Sequence, residues 1–239
     1  MQTIDKKSTT AETLADRFRD AFEEWLSGLD MERPALSEQS KKTLAESMSA
    51  SMAWRDSILV SAALSNSPEY DEAKLKGFAF HKEHEEWLGR MMSGSLKDKT
   101  LGEDRTVCRR AVGMLFDIVE AVEDIDIELQ AQPLAVISYL LWWMGDARAM
   151  LTAMRAVAID EECSLAAIVI GAVHGDRWPA SARRECPAGN MQRGAAPWRT
   201  PAGPKAAGAH PARRVPRRGR RTLRFTSGRF RQRNMPRHA

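Results

Sequence analysis

The stretch PLAVISYLLWWM, from Pro133 to Met144, decides the fold of this chain. Ser138 is its one plainly polar residue, and Gly145-Asp146 follow it directly. A helix that is apolar on every side has to be covered by other elements. The 12 residues are also too few to cross a bilayer, which takes roughly 20 apolar residues. The stretch therefore predicts the buried central helix of a helical domain.

The residues at both ends of this stretch predict where the helix begins and ends. Pro133 fits a first helical turn, where the missing N–H costs nothing. Gly145 fits a helix end, and Asp146 fits the N-cap of a following helix. Residues 147–159 then predict an antiparallel partner helix with Met150, Met154 and Val157 facing inward.

The rest of residues 1–180 repeats apolar side chains at helical spacing, and no stretch alternates cleanly with period two between turn signals. We expect helices over residues 11–26, from Ser37 onward, and over 69–92, 105–130 and 165–173. The first should end at Ser27-Gly28. The second is either one bent helix or two abutting ones. The fold class predicted is all-α, with about six helices.

Charge divides the chain sharply. Residues 181–239 contain 16 Lys and Arg and a single acid, whereas residues 1–180 contain 20 basic and 31 acidic residues. An acidic body of net −11 thus precedes a basic segment of net +15, although the whole chain carries only +4. We divide the chain into an N-terminal helix and linker (1–35), a helical core domain (36–180) and a disordered basic tail (181–239).

The tail allows three interpretations. Its composition buries too little apolar surface to fold. It could be a nucleic-acid-binding arm, with a cluster of six arginines: Arg213, Arg214, Arg217, Arg218, Arg220 and Arg221. Arg, Pro, Ala and Gly are also the residues of GC-rich codons, so a frameshift or run-on would give the same mixture. A dispensable native tail is the third interpretation.

No segment of the sequence predicts catalysis, a metal or a cofactor. GxSxG, GxGxxG and P-loop patterns are absent. His81 and His84 are expected to share a helix face, but an HExxH zinc motif would need His where Leu88 stands. Cys108 and Cys163 are expected to be buried, reduced core residues. The first ten residues lack the apolar run of a secretory signal, so we expect a cytoplasmic protein without a membrane segment.

Trp54-Arg55-Asp56 form a second candidate binding motif. Neighbouring helical residues point about 100° apart, so Arg55 and Asp56 are not expected to pair with each other. Arg55 should contact a helix C-terminus or an acid elsewhere in the fold. The alternative is that it contributes to a binding site.

The segment from Gln132 to Val169 resembles the C-terminal part of domain-of-unknown-function family 4192, found in high-GC Gram-positive bacteria and their phages. Trp54-Arg55-Asp56 resembles that family's RD-containing helix, and the likeness covers residues 36–179. The family has no established activity, and its N-terminal α/β portion has no counterpart in residues 1–35. The matching positions are Pro133, Leu134, Ala135, Trp142, Gly145, Asp146, Arg155, Ala156, Ala158, Asp160, Leu165 and Ala166.

The predicted helical hairpin is also similar to a tetratricopeptide unit, although no second copy follows at a period of about 34 residues. These likenesses imply a bacterial, non-enzymatic protein-interaction module with an unknown protein partner. The alternative is non-specific nucleic-acid binding through the tail. The candidate binding residues of the body are Trp54, Arg55, Asp56, Trp142, Gly145 and Asp146.

Overall fold

A computed structural model describes residues 3–81, 83–98 and 105–182, with side chains from residue 13 onward. These ranges contain nine α-helices and one 3-10 helix, Ile127–Gln130, and no strand. The predicted all-α class is confirmed, with more helices than the six expected. The α-helices are α1 Thr3–Asp30, α2 Glu38–Ala50, α3 Met52–Leu64, α4 Glu72–His81, α5 Glu85–Ser95, α6 Thr106–Ala121, α7 Ala131–Trp143, α8 Arg148–Ile159 and α9 Ser164–His174.

Helix α7 is the centre of the fold. All its side chains from Pro133 to Trp143 are buried, and helices α2, α3, α6, α8 and α9 pack around it. Gly145 follows with a φ of +74°, a left-handed conformation that ends a helix at little cost only for glycine. The prediction of a buried central helix is confirmed.

Helix α1 contributes Phe18, Phe22 and Trp25 to the same hydrophobic core. It continues past Gly28 to Asp30, so the prediction that Ser27-Gly28 ends it is wrong. A Cβ at Gly28 would lie 2.9 Å from Met114 Sδ on α6. The glycine therefore allows a close approach of α6. The cost of glycine in a helix, about 1 kcal/mol, is small beside the packing of the helix.

Three predicted helical blocks are divided. Ser51 takes an extended conformation between α2 and α3, so the second block is two abutting helices. His84, with a φ of +64°, separates α4 from α5. The fourth block ends as α6 at Ala121, and a short turn leads to the 3-10 helix.

Helix α8 packs on α7 through a face of small residues, Ala149, Thr152, Ala153 and Ala156. Met150 and Val157 are half-buried, but Met154 is 56% exposed, so its predicted inward orientation is wrong. The small residues let the two helices approach closely, and the larger side chain is directed to solvent.

Ala147 is the N-cap of α8, so the prediction that Asp146 caps this helix is wrong by one residue. The Asp146 side chain still accepts a hydrogen bond from the Arg148 N–H at 2.9 Å. Cys108 and Cys163 are buried, as predicted, and the Cys108 thiol donates to Ala62 O at 3.3 Å. No helix within the described ranges has an apolar run long enough to cross a membrane.

Candidate functional site

Trp54, Arg55 and Asp56 lie in the first turns of α3. The Trp54 ring stacks on Phe18 with 4.8 Å between ring centroids. The buried Arg55 donates from Nε and Nη2 to Asp56 Oδ1 at 2.9 and 2.8 Å. The prediction that these neighbours do not pair is therefore wrong. The arginine side chain is long and flexible enough to fold back on its neighbour, despite the angle between their Cα–Cβ bonds.

Arg55 also begins a chain of polar contacts across the first turn of α7. Its Nη1 donates to Gln132 Oε1 at 3.2 Å, and Gln132 Nε2 donates to Asp160 Oδ2 at 3.4 Å. Asp160 lies between α8 and α9. Burial raises the pKa of Tyr139 on α7, and the charge of Asp56 raises it further. The chain of polar contacts from Asp56 through Arg55 and Gln132 to Asp160 thus connects α3, α7 and the α8–α9 turn.

Gln132 and Asp160 also line an open groove of about 400 Å³ beside the 3-10 helix. The groove contains the carboxylates of Asp126, Glu128 and Glu161 as well, and none of the described residues that line it is basic. A second groove, of about 230 Å³, borders the 3-10 helix through Gln130. Together the two grooves flank the connection between α6 and α7.

This connection exposes apolar side chains among acids. Ile125 is 55% and Ile127 62% exposed, and Phe116 on α6 is exposed as well. The backbone is fixed by Ile125 and Asp126 N–H groups that donate to Val122 O, both at 3.1 Å. Asp126 Oδ1 in turn accepts the Glu128 N–H at 3.0 Å and caps the 3-10 helix. The turn is therefore ordered by its own hydrogen bonds while its isoleucines stay in solvent.

We call this region the α6–α7 surface. No lysine, arginine or histidine occurs between residues 111 and 147. Carboxylates of the α8–α9 turn extend the acidic region across the larger groove. The surface comprises Phe116, Asp117, Glu120, Glu123, Asp124, Ile125, Asp126, Ile127, Glu128, Asp160 and Glu161.

Trp142, Gly145 and Asp146 lie at the opposite end of α7. Trp142 Nε1 donates to Arg177 O at 2.8 Å. Asp146 forms an ion pair of 2.7 Å with Arg148. Hydrogen bonds from the Arg148 side chain and backbone hold the pKa of Asp146 below its usual value, although partial burial opposes them. These contacts shape the α7–α8 hairpin.

The same end of α7 is held by a buried arginine. Arg105 Nη1 donates to Met144 O at 2.5 Å, and its Nη2 donates to Ser181 O at 3.5 Å. The Ala180 N–H donates to Leu96 O at 3.1 Å. The segment from Arg177 to Ala182 is therefore fastened to α7, to the residue before α6 and to the end of α5.

The six predicted binding residues form two groups rather than one site. Arg55 and Asp56 lie near Gln132, whereas Trp142, Gly145 and Asp146 are about 15–21 Å away along α7, given a rise of about 1.5 Å per residue. Sequence reasoning missed Gln132 and the exposed pair Ile125 and Ile127. The signal available was the alternation of acids with isoleucine in residues 123–128, EDIDIE.

His81 and His84 do not share a helix face, contrary to the prediction. Helix α4 ends at His81, and His84 takes a left-handed conformation before α5. A Cβ at Gly77 would lie 3.2 Å from His84 Cδ2, because the chain turns back there against α4. Among residues 3–81, 83–98 and 105–182, no three His, Cys, Asp or Glu side chains are grouped to hold a metal.

The predicted nucleic-acid residues Arg213, Arg214, Arg217, Arg218, Arg220 and Arg221 lie outside the described residues, as does the tail from 183 to 239. Comparison with protein-family models, curated proteins and solved structures gives no match to the chain. The resemblance to family 4192 and the tetratricopeptide likeness stay predictions.

Proposed function

We propose that this chain is a non-enzymatic interaction module of the bacterial cytoplasm, and that it binds a protein partner through the α6–α7 surface. The observation that carries the proposal is the exposure of Phe116, Ile125 and Ile127 within 12 residues of one connection. Single exposed apolar residues are ordinary on a protein surface. A group of them surrounded by polar residues is typical of an interaction site.

The charges around these side chains define the partner's chemistry. Six carboxylates lie between Asp117 and Glu128. The pKa of Lys41 is raised by its hydrogen bond to Glu38 and further by the charges of Asp117 and Glu120, which lie close to it. Arg155 lines the smaller groove with Glu120 and Glu123. The acidic surplus is therefore greatest around the isoleucines, at Asp124, Asp126 and Glu128. Charge complementarity favours a partner that carries lysine or arginine, because opposite charges at the rim steer association and exclude acidic competitors. The isoleucines would supply the apolar centre that is desolvated on binding. The partner expected is a basic segment with apolar residues on one face.

The test uses a synthetic amphipathic helix of lysine and leucine as the probe, with binding to the full chain followed by fluorescence anisotropy. Replacing Ile125 and Ile127 by serine should weaken binding about tenfold or more, equivalent to 1.4 kcal/mol. Met31→Ser, at another exposed apolar position, should leave binding unchanged.

A lysine and glycine peptide of equal charge separates apolar recognition from charge alone. It should bind weakly and lose its binding as salt screens the exposed carboxylates. Equal binding of both peptides, or equal binding by the double-serine chain, would contradict the proposal.

Nucleic-acid binding through the tail is the second candidate function, favoured by the net charge of +15 in residues 181–239. A protein that makes about 6–10 phosphate contacts loses on the order of 10³–10⁵ in affinity between 50 and 200 mM salt. Replacing Arg213, Arg214, Arg217, Arg218, Arg220 and Arg221 by serine should weaken binding and reduce that salt dependence. Unchanged binding by the substituted chain would rule this candidate out.

A further inference from the structure

The exposed isoleucines of the α6–α7 surface alternate with acids, and this pattern defines what covers them. Residues 123–128 read EDIDIE, with Ile125 55% and Ile127 62% exposed. Asp126 between them has an extended backbone, with a φ of −159° and a ψ of 112°, so the two isoleucine side chains lie on the same side of the chain. Their complement is a segment in which two apolar side chains, also two residues apart, are accompanied by positive charges.

The basic tail, residues 181–239, contains one such segment. Residues 220–225 read RRTLRF, in which Leu223 and Phe225 stand on either side of Arg224. No other place in the tail sets two large apolar residues two apart. In an extended backbone Leu223 and Phe225 would share one side and contact the two isoleucines. The long arginine side chains would then reach the carboxylates around them.

The acids around the isoleucines are free to attract this segment. On α1, by contrast, Glu23 pairs with Lys76 at 2.7 Å. Asp16 pairs with Arg19 at 2.9 Å. Within the ranges that the structure describes, the carboxylates of residues 123–128 form no ion pair. Charge complementarity therefore directs the basic tail, with its net charge of +15, to this surface.

The tail is long enough to reach the surface from its own body. Ala182 lies at the Gly145 end of α7, where a Cβ at Gly145 would be 3.2 Å from Ala182 Cβ. Helix α7, with 13 residues, separates that end from the 3-10 helix by about 20 Å, given a rise of about 1.5 Å per residue. Leu223 follows Ala182 by 41 residues, which span roughly 140 Å at most. The segment therefore does not have to come from another molecule.

We propose that residues 220–225 occupy the α6–α7 surface of their own chain and compete there with an external partner. The inference rests on the proposed function and deepens it, because it names the regulation of the same surface. A tethered segment has an effective concentration on the order of 1 mM, so a dissociation constant of about 0.5 mM keeps about two thirds of the surfaces occupied. A contact of this strength does not need the area of a standard interface.

A nitroxide spin label beside the segment tests the contact in the full chain. Ser227→Cys supplies the labelling site and Cys186→Ser removes the cysteine of the tail, while the other two cysteines are buried. The methyl signals of Ile125 and Ile127 should lose intensity in NMR spectra relative to the reduced label. The signal of Ile168, 60% exposed on α9, should not. Equal loss at all three isoleucines, or no loss, overturns the proposal.

Two further samples identify the source and the sequence of the segment. When spin-labelled chains are mixed with isotope-labelled chains that carry no spin label, the loss should disappear. A loss that persists in this mixture assigns the contact to a second copy and overturns the proposal. Replacing Leu223 and Phe225 by serine should also remove the loss, whereas the matched control, Val215→Ser with Phe230→Ser, should keep it. Equal behaviour of these two variants overturns the proposal as well.

Binding of the lysine and leucine peptide separates this inference from the proposed function. The chain with serine at 223 and 225 should bind the peptide at least about threefold more tightly than the original chain, because the free fraction of the surface rises from about one third to nearly all. Equal affinities overturn the competition and leave the partner-binding function standing. A peptide that binds neither chain contradicts the partner-binding function, and the isoleucine signals still test the contact.

Discussion

The two ends of α7 are each held by a buried arginine, but in different ways. At the first turn, Arg55 donates to side chains, those of Asp56 and Gln132. After the last turn, Arg105 donates to backbone oxygens, those of Met144 and Ser181. A positive charge stabilises the C-terminal end of a helix, where carbonyls are unpaired, and opposes the N-terminal end. The positive charge of Arg55 is therefore tolerated at the N-terminal end because the Asp56 carboxylate beside it compensates that charge.

This difference separates a structural end from an end that is available for binding. The Arg105 end is closed by the segment from Arg177 to Ala182. The Arg55 end continues through Gln132 and Asp160 to the acidic groove. The same residue type thus fastens backbone at one end and extends a polar chain to the surface at the other.

Arg105→Met should cause the largest loss of stability, about 3 kcal/mol. It leaves two buried carbonyls without these donors, and each unpaired buried group costs about 1–3 kcal/mol. Urea denaturation of the full chain gives the free energy of unfolding. An effect no larger than that of the matched Arg55→Met variant would remove the distinction between the two ends.

Gly145→Ala should cost about 1–2 kcal/mol, because a left-handed conformation strains any residue with a Cβ. Gly145 has a φ of +74°, and its new Cβ would lie 3.2 Å from Ala182 Cβ. The control is Gly113→Ala within α6, where a Cβ meets nothing within 4 Å. That change should stabilise the fold by about 0.5–1 kcal/mol. Thermal melting of both variants checks the opposite signs.

Arg55→Met should destabilise the fold by about 1 kcal/mol, less than the Arg105 change, because partly exposed Asp56 regains water when its partner is lost. Gln132→Leu tests whether the polar chain acts as a unit. The double variant should show a coupling energy of about 0.5–1 kcal/mol with Arg55→Met. Strict additivity would mean that Arg55 and Gln132 act separately.

The smallest effect expected is a pH dependence from Asp146. Its pKa is lowered in the folded state by the hydrogen bond from Arg148. The stabilisation is therefore present above the unfolded pKa of about 3.9 and is lost as pH falls through the lower folded value. Melting temperatures from about pH 6 to about pH 3 should fall less for Asp146→Asn than for the original chain. Parallel curves of melting temperature against pH would show that the ion pair of Asp146 with Arg148 adds nothing to the stability of the fold.

The local features of α7 could be predicted from sequence, and its long-range partners could not. An apolar run, a proline in the first turn and a glycine after the end are signals within 15 residues. Arg105 lies 39 residues before Met144 and 76 before Ser181, and no local pattern connects such positions. The exposed Met154 was mispredicted for a related reason. Small residues occupy the face of α8 that contacts α7. Which side chains fit on that face depends on the distance between the two helices, and a local pattern does not give that distance.

The candidate surface was only partly predictable. The run of acids from Asp117 to Glu128 faces solvent, as a charged run ordinarily does. The exposure of Ile125 and Ile127 was not predicted, because periodicity assigns apolar residues to the core by default. The helix break at Ala121 moves Ile125 out of register with Ile118 on the buried face of α6. Ile127 would face away from Ile118 even in a continuous helix.

The segment from Arg177 to Ala182 also has a consequence for the order of synthesis. Arg105 and Met144 are both translated before residue 177, so the hydrogen bond between them can form first. The hydrogen bonds of Trp142 with Arg177 O and of Leu96 O with the Ala180 N–H can form only after residues 177 and 180 have been translated. The 57 residues from 183 to 239 follow, and their translation takes roughly 3–11 s at 5–20 residues per second. During that interval the body can close around α7 while the ribosome still holds the chain, whatever the sequence of those residues.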